Sequence, residues 1–75
     1  MIIEFSRHSK RRAKLYGISE ATVRKILQSL NLNDGQHEIV KNISGFEFPI
    51  KVVAFVKEEH VMVITNYPLK KGKTK

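Results

Sequence analysis

The sequence predicts an α+β fold in which a short N-terminal strand and two helices precede a three-strand antiparallel meander. Up to about residue 30, apolar residues recur at helical spacing, and two serines stand where helices commonly begin. From His37 onward the apolar residues alternate with polar ones, which is the period of a half-buried strand. With 75 residues, of which 41% are hydrophobic, the chain has the size of one small domain. We expect a single domain over residues 1–69 and a basic, flexible tail over residues 70–75.

The first half of the chain carries clear helix signals. Residues 1–5 alternate as a short strand does, and Ser6 is a good N-cap for a helix from about Arg7 to Tyr16 that ends at Gly17. A second helix follows the N-cap Ser19. Its apolar residues fall at i, i+3, i+4 and i+7, namely Val23, Ile26, Leu27 and Leu30.

The second half reads as strands separated by turns. After a loop at residues 31–36, strands are predicted at residues 39–43, 50–57 and 60–67, with turns at residues 44–45 and 58–59. Pro68 is expected to stop the sheet. Strict alternation along the last strand places Val61, Val63, Thr65 and Tyr67 on one face and Met62, Ile64 and Asn66 on the other.

Several classes of protein are excluded by composition. The chain has no Cys, so a disulfide framework and a thiolate zinc site are both ruled out. The longest apolar run, residues 52–56, is far shorter than the ~18 to 20 residues of a membrane span. No export signal is visible, and we expect a cytoplasmic protein. The three histidines lack the spacing of a metal site, so no metal ion and no cofactor are predicted.

Positive charge is concentrated at the two ends of the chain. The formal net charge is +7, with five bases and one acid in residues 1–17 and four lysines and no acid in residues 68–75. Residues 18–67 hold five bases and six acids. This distribution is typical of a surface that binds a polyanion, although terminal lysines also occur as solubilising tails.

The first predicted helix combines a histidine with several cations. At 100° per residue, Arg11 and Arg12 lie one turn from His8 and on either side of it. A histidine exchanges protons near neutral pH, and arginines bind phosphate oxygens, so the group suits chemistry on a phosphodiester. Two interpretations without catalysis remain open: a solvated basic face, or polyanion binding without chemistry. Tyr67, at the end of the last strand, could stack on a base or simply cover the core.

The run Phe5-Ser6-Arg7-His8-Ser9, then Arg12, Gly17-Ile18-Ser19, Val52-Val53 and Ile64-Thr65-Asn66-Tyr67 resembles a family of small bacterial and archaeal domains of unknown function. That family is similar to the RelE/ParE-like toxins and, more distantly, to the ribonucleases that include barnase, EndoU and the colicin tRNases. The resemblance implies two helices packed on one face of a curved antiparallel sheet. It also implies a metal-independent ribonuclease with RNA lying across the sheet.

The resemblance carries over to particular residues. His8 matches the helix histidine, Arg12 the arginine four residues later, and Thr65 and Tyr67 the polar positions of the closing strand. Two departures stand out, because Tyr16 replaces a second basic residue and Ala13 replaces a bulkier apolar one.

We therefore expect a toxin-type endoribonuclease that cleaves by attack of the ribose 2′-hydroxyl. The expected catalytic residues are His8, Arg12 and Tyr67. Nucleic-acid contacts are expected from Arg7, Lys10, Arg11, Lys14, Thr65, Lys70 and Lys71. The alternatives are a non-catalytic nucleic-acid-binding module and a toxin-like protein that acts through a protein partner. The expected partners are RNA, in free or ribosome-associated form, and an acidic antitoxin protein, with no membrane involved.

Overall fold

A computed structural model describes residues 1–69, and it confirms the α+β class. In chain order the elements are β1 (Ile2–Phe5), α1 (Arg7–Tyr16), α2 (Glu20–Gln28), β2 (Gly35–Lys41), β3 (Ile50–Lys57) and β4 (His60–Pro68). The strands form one sheet in the order β1-β4-β3-β2. Neither helix is long and apolar enough to cross a membrane.

The sheet is mixed rather than wholly antiparallel. Strands β2, β3 and β4 form the expected antiparallel meander, but β1 pairs with β4 in parallel, with Ile2 opposite His60 and Phe5 opposite Val63. Hydrogen bonds fix both ends of this pairing, from the Ile2 amide to the Glu59 carbonyl at 2.9 Å and from the Ser6 amide to the Val63 carbonyl at 3.0 Å. Two strands joined by a tight turn must be antiparallel. The connection between β1 and β4 is long, so these two strands can pair in parallel.

Both helices begin as the local sequence predicts, and α1 also ends as predicted, whereas α2 ends at Gln28 and does not include Leu30. The Ser6 hydroxyl accepts a hydrogen bond from the Ser9 amide at 3.0 Å, and the Ser19 hydroxyl accepts one from the Thr22 amide at 3.0 Å. Each serine satisfies a backbone donor that the first turn leaves without a helical partner. Gly17 ends α1 at φ 70°, in the left-handed region that glycine adopts without steric cost.

The predicted bounds of the second strand were wrong. The strand was expected at residues 39–43, whereas β2 spans Gly35–Lys41. It pairs with β3 residue by residue, from Gly35 opposite Val56 to Lys41 opposite Ile50. The ladder stops there because β3 begins at Ile50, immediately after Pro49, which has no N–H to donate.

Strand β4 contains an irregularity that changes which side chains face the core. Val53 of β3 lies opposite Thr65 and Ala54 lies opposite Val63, so Ile64 is an extra residue and forms a β-bulge. Before the bulge Val63 is buried, and after it Asn66 is buried. The prediction that Thr65 and Tyr67 share a face with Val61 and Val63 was therefore wrong. Pro68 does not stop the sheet either, because it pairs with Ile50 as the last residue of β4.

The helices pack on one face of the sheet and enclose the hydrophobic core. Strand β3 supplies alternate residues to this face, and α2 contributes three large buried side chains, Val23, Ile26 and Leu27. Each fully buried side chain of this kind contributes about 1.5–3 kcal/mol through removal from water. By contrast, α1 buries only the small residues Ser9 and Ala13. Its larger side chains are therefore available on the surface.

Candidate nucleic-acid interface

Helix α1 begins where β1 ends, and polar contacts fix its first turn beside β4. The Ser6 hydroxyl donates to the Ile64 carbonyl at 3.0 Å, and the Ser9 hydroxyl donates to the Ser6 carbonyl at 2.8 Å. The Asn66 amide group donates to the Ser9 carbonyl at 3.2 Å, within a fully buried environment. The helix is thus held by hydrogen bonds and two small buried side chains, not by a large apolar face.

The exposed side of α1 carries an aligned set of cations. Four basic residues occur at i, i+3, i+4 and i+7, which is the spacing of side chains on one side of a helix. All four are exposed, and they lie away from the buried Ser9 and Ala13. We call them the basic stripe: Arg7, Lys10, Arg11 and Lys14.

The basic stripe has no acidic partner among residues 1–69. The ion pairs in that range join Arg24 to Glu20 at 3.9 Å and Lys51 to Glu38 at 3.0 Å. The first turn of α1 contains no acid, although cations there oppose the helix dipole, and like charges four residues apart repel each other. This arrangement is unfavourable for the isolated helix, and binding of a polyanion would make it more favourable.

His8 and Arg12 occupy a neighbouring side of the same helix, one turn apart. Both are solvent-accessible, and in the described part of the chain the His8 ring makes no hydrogen bond. Arg12 donates to the Tyr16 hydroxyl at 3.4 Å. This side of α1 therefore offers an imidazole and a guanidinium to any ligand that the basic stripe holds.

Two further side chains of α1 were missed as candidate site residues. Leu15 is 68% exposed and Tyr16 is 38% exposed, although both are large and hydrophobic. Solvated apolar side chains on a cationic helix are suited to contact nucleobases, and a tyrosine ring can stack on a base of any sequence. For Leu15 the signal was present in the sequence, because it lies at helical spacing from His8 and Arg11 and away from the small buried residues. Tyr16 has helical spacing to the buried Ser9 and Ala13, so its exposure was not predictable from spacing.

Thr65 and Tyr67 lie apart from the basic stripe. The β-bulge turns both residues to the sheet face opposite the helices, where Tyr67 lies opposite Lys51. The pKa of Lys51 is raised, mainly by its hydrogen bond and charge interaction with Glu38 and further by the nearby Tyr67 phenol. The candidate site predicted from sequence is thus divided: His8 and Arg12 belong to the helix layer, whereas Tyr67 belongs to the open face of the sheet.

The remaining predicted positions concern the tail and metal binding. Lys70 and Lys71 lie outside the described residues. Within residues 1–69, no three histidine, cysteine, aspartate or glutamate side chains are grouped so that they could hold a metal ion.

The chain was also compared with known proteins. No protein-family model, curated protein or solved structure matches it. What the site can do is therefore inferred from its own residues.

Proposed function

We propose that α1 binds single-stranded RNA, with the basic stripe on the phosphate backbone and Tyr16 stacked on a base. The observation that supports this most directly is the alignment of four cations without an acidic partner on one side of a ten-residue helix. Such a set supplies the electrostatic part of nucleic-acid affinity, which does not depend on sequence. The exposed ring of Tyr16, in the last turn of the same helix, adds a stacking contact that favours an unpaired strand over a duplex.

Binding is tested by fluorescence anisotropy with a labelled single-stranded RNA over a range of KCl concentrations. Four phosphate contacts predict a slope of log affinity against log salt of about −3, since each contact on a single strand contributes about −0.7. Lys10→Gln combined with Lys14→Gln removes two contacts and should reduce the magnitude of the slope by about 1.4.

The matched control combines Lys51→Gln with Lys57→Gln, which removes the same charge from the sheet instead of the helix. We expect this variant to keep the full salt slope. Equal losses in the two double variants would show that net charge alone attracts RNA, and the assignment to the basic stripe would fail. Tighter binding of duplex DNA than of the single strand would contradict the role of Tyr16.

A second activity, cleavage of the bound strand, is favoured by the exposure of His8 one turn from Arg12. In this proposal His8 accepts the proton of the ribose 2′-hydroxyl, and the 2′-oxygen forms a bond to the adjacent phosphorus. The bond from phosphorus to the 5′-oxygen of the next nucleotide breaks, and that oxygen takes up a proton from water or from the protonated imidazole. Arg12 stabilises the negative charge that develops on the non-bridging phosphate oxygens. The toxin-type ribonucleases that the sequence resembles suggest the same reaction. Tyr67 has no assigned part in it, because it lies on the opposite face of the sheet.

Cleavage is tested by incubating the protein with a mixed RNA pool in the presence of EDTA. The expected products end in a 2′,3′-cyclic phosphate, and His8→Ala should slow their formation by about 10²- to 10⁴-fold. Arg12→Lys, which keeps the charge but loses the planar fork, should slow cleavage while leaving the salt slope unchanged. If the wild-type protein yields no product, or His8→Ala cleaves as fast, binding without cleavage is the function that stands.

An acidic protein could occupy the same cations, and competition distinguishes this case. A cognate acidic partner would displace RNA from wild-type protein and would lose affinity in the Lys10→Gln/Lys14→Gln variant. If the protein binds such a partner through the basic stripe and does not bind RNA at all, the RNA proposal is overturned.

A further inference from the structure

A cleft on the other helix carries an arrangement that sequence spacing does not reveal. It lies between α2 and the end of β2 with the loop that follows, and it has a volume of about 440 Å³, within the usual range of ligand pockets. One wall is a single side of α2, with residues at i, i+3, i+4 and i+7. The lining residues are Thr22, Lys25 and Ile26 of α2 with its C-cap Ser29, and Lys41, Asn42, Ile43 and Ser44 from the facing segment.

Each wall of the cleft carries a cation. Lys25 and Lys41 approach it from different elements, 16 positions apart in the sequence, and neither makes an ion pair with a described residue. The Asn42 amide and the Ser44 hydroxyl make no hydrogen bond within residues 1–69, so both are available as donors. The rim therefore consists mainly of cations and available hydrogen-bond donors.

The floor of the cleft is apolar. Ile26 is 3% exposed and belongs to the core, and Ile43 packs against the core from the loop. The loop wall is fixed on both sides of Ser44, because Ile43 and Phe46 pack against the core and the Phe46 amide donates to the Ile43 carbonyl at 3.1 Å. A ligand that fits these surfaces combines an anionic group with a flat apolar part.

Charge distinguishes this cleft from two others of similar size. The cleft between α2 and the end of β2 contains no acid, whereas one of about 330 Å³ beside β1 contains two cations and two acids. Another of about 420 Å³, at the start of β4, contains three acids. The charged residues of the cleft beside β1 are Lys10, Arg24, Glu4 and Glu20. Those of the cleft at the start of β4 are Asp34, Glu58 and Glu59. An anion is thus favoured at only one of these three places.

The geometry points to this cleft as a binding site for a nucleoside monophosphate group, either free or at the 5′ end of an RNA strand. Lys25 and Lys41 bind the phosphate, Asn42 and Ser44 donate hydrogen bonds, and the base lies on Ile26 and Ile43. The site is separate from the basic stripe of α1, and it does not depend on RNA binding or cleavage by that helix.

The test is a titration of the ¹⁵N-labelled protein with uridine 5′-monophosphate, followed by two-dimensional NMR. The expected result is chemical-shift changes concentrated at the amides of Lys25, Ser29, Asn42 and Ser44. Replacing both cleft lysines, Lys25→Gln with Lys41→Gln, should weaken binding by about tenfold or more, because charge-assisted hydrogen bonds to phosphate are lost. All of these side chains are exposed, and circular dichroism verifies that the variant is folded.

Four controls make the outcome decisive, two variants and two ligands. Lys57→Gln, at the end of β3, should bind the nucleotide as wild type does, and the Lys10→Gln/Lys14→Gln variant of α1 should do the same. Uridine without phosphate should not bind measurably, and inorganic phosphate should bind more weakly than the nucleotide. The proposal is overturned if the cleft amides do not shift, if Lys57→Gln loses affinity equally, or if inorganic phosphate binds as tightly as the nucleotide.

The same titration distinguishes the two sources of the ligand. Tighter binding of a 5′-phosphorylated oligonucleotide than of its 5′-hydroxyl counterpart assigns the site to RNA ends. Binding of the mononucleotide without any preference for the phosphorylated oligonucleotide assigns it to a free nucleotide.

Discussion

The two helices of this small domain have nearly the same length and the same kind of cap but opposite surfaces. Helix α2 buries Val23, Ile26 and Leu27, and it begins with an acid, Glu20, in its first turn. Helix α1 buries two small residues, has no acid, and begins with Arg7. Helix α2 has the large buried side chains and the acidic first turn that stabilise a helix packed on a sheet. Helix α1 has neither of these features.

This difference shows that the sequence of α2 serves folding, and it supports the proposal that the sequence of α1 serves binding. Residues that oppose helix stability, such as cations in the first turn, are expected where a surface serves another purpose. Helix α1 remains in place because Ser6, Ser9 and Asn66 anchor it through hydrogen bonds to neighbouring backbone groups. Its outer surface is thereby free of any packing role.

The largest expected difference is in stability, and it is measured by replacing one leucine with alanine in each helix. Leu27→Ala should lower the free energy of unfolding by about 2–5 kcal/mol, because the side chain is fully buried and its loss leaves a cavity. Leu15→Ala removes the same atoms from a 68% exposed position and should change stability by less than about 0.5 kcal/mol. Urea unfolding of the two variants measures both values, and a large loss for Leu15→Ala would show that α1 also packs through its outer side.

The helix caps provide the next comparison. Ser6→Ala should destabilise the protein by about 1–2 kcal/mol, since it removes the N-cap and the bond to the Ile64 carbonyl. Ser19→Ala should cost about 1 kcal/mol, because the Ser19 hydroxyl contacts only its own first turn, at the Thr22 amide and hydroxyl. Equal losses in thermal or urea unfolding would mean that the contact between α1 and β4 adds nothing to stability.

The smallest effects come from exchanging the charges of the two first turns. Arg7→Glu should stabilise the protein by about 0.3–1 kcal/mol, and Glu20→Arg should destabilise it by a similar amount, because each reverses an interaction with the helix dipole. Only Arg7→Glu should also weaken RNA binding. A destabilised Arg7→Glu variant would contradict the view that α1 retains an unfavourable charge for the sake of a ligand.

The helices were predictable from sequence because their signals are local. Ser6, Gly17 and Ser19 each act within one helical turn, so their effect does not depend on the rest of the fold. The end of β2 was harder to predict from sequence, because it is set by where the partner strand begins, after Pro49. Strand boundaries reflect pairing between distant segments, which spacing along one segment does not report.

The candidate site was only partly predictable for the same reason. The alignment of His8, Arg12 and the basic stripe follows from helical geometry and was visible in the sequence. Neither glycine nor proline marks the bulge at Ile64. Strict alternation therefore placed Thr65 and Tyr67 on the core face of β4, which Asn66 occupies in the structure. Lys25 and Lys41 meet in one cleft only because α2 packs beside the end of β2.

The hydrogen bond from Ser6 to the Ile64 carbonyl joins residues 58 positions apart, and it has a consequence for the order of folding. Strand β1 and the start of α1 have their main partner in β4, so they cannot dock until that strand has been synthesised and paired with β3. Closing so long a loop is slow compared with forming a helix or a hairpin. We therefore expect the meander and α2 to assemble first, and the basic stripe of α1 to take its final position only in the last step of folding.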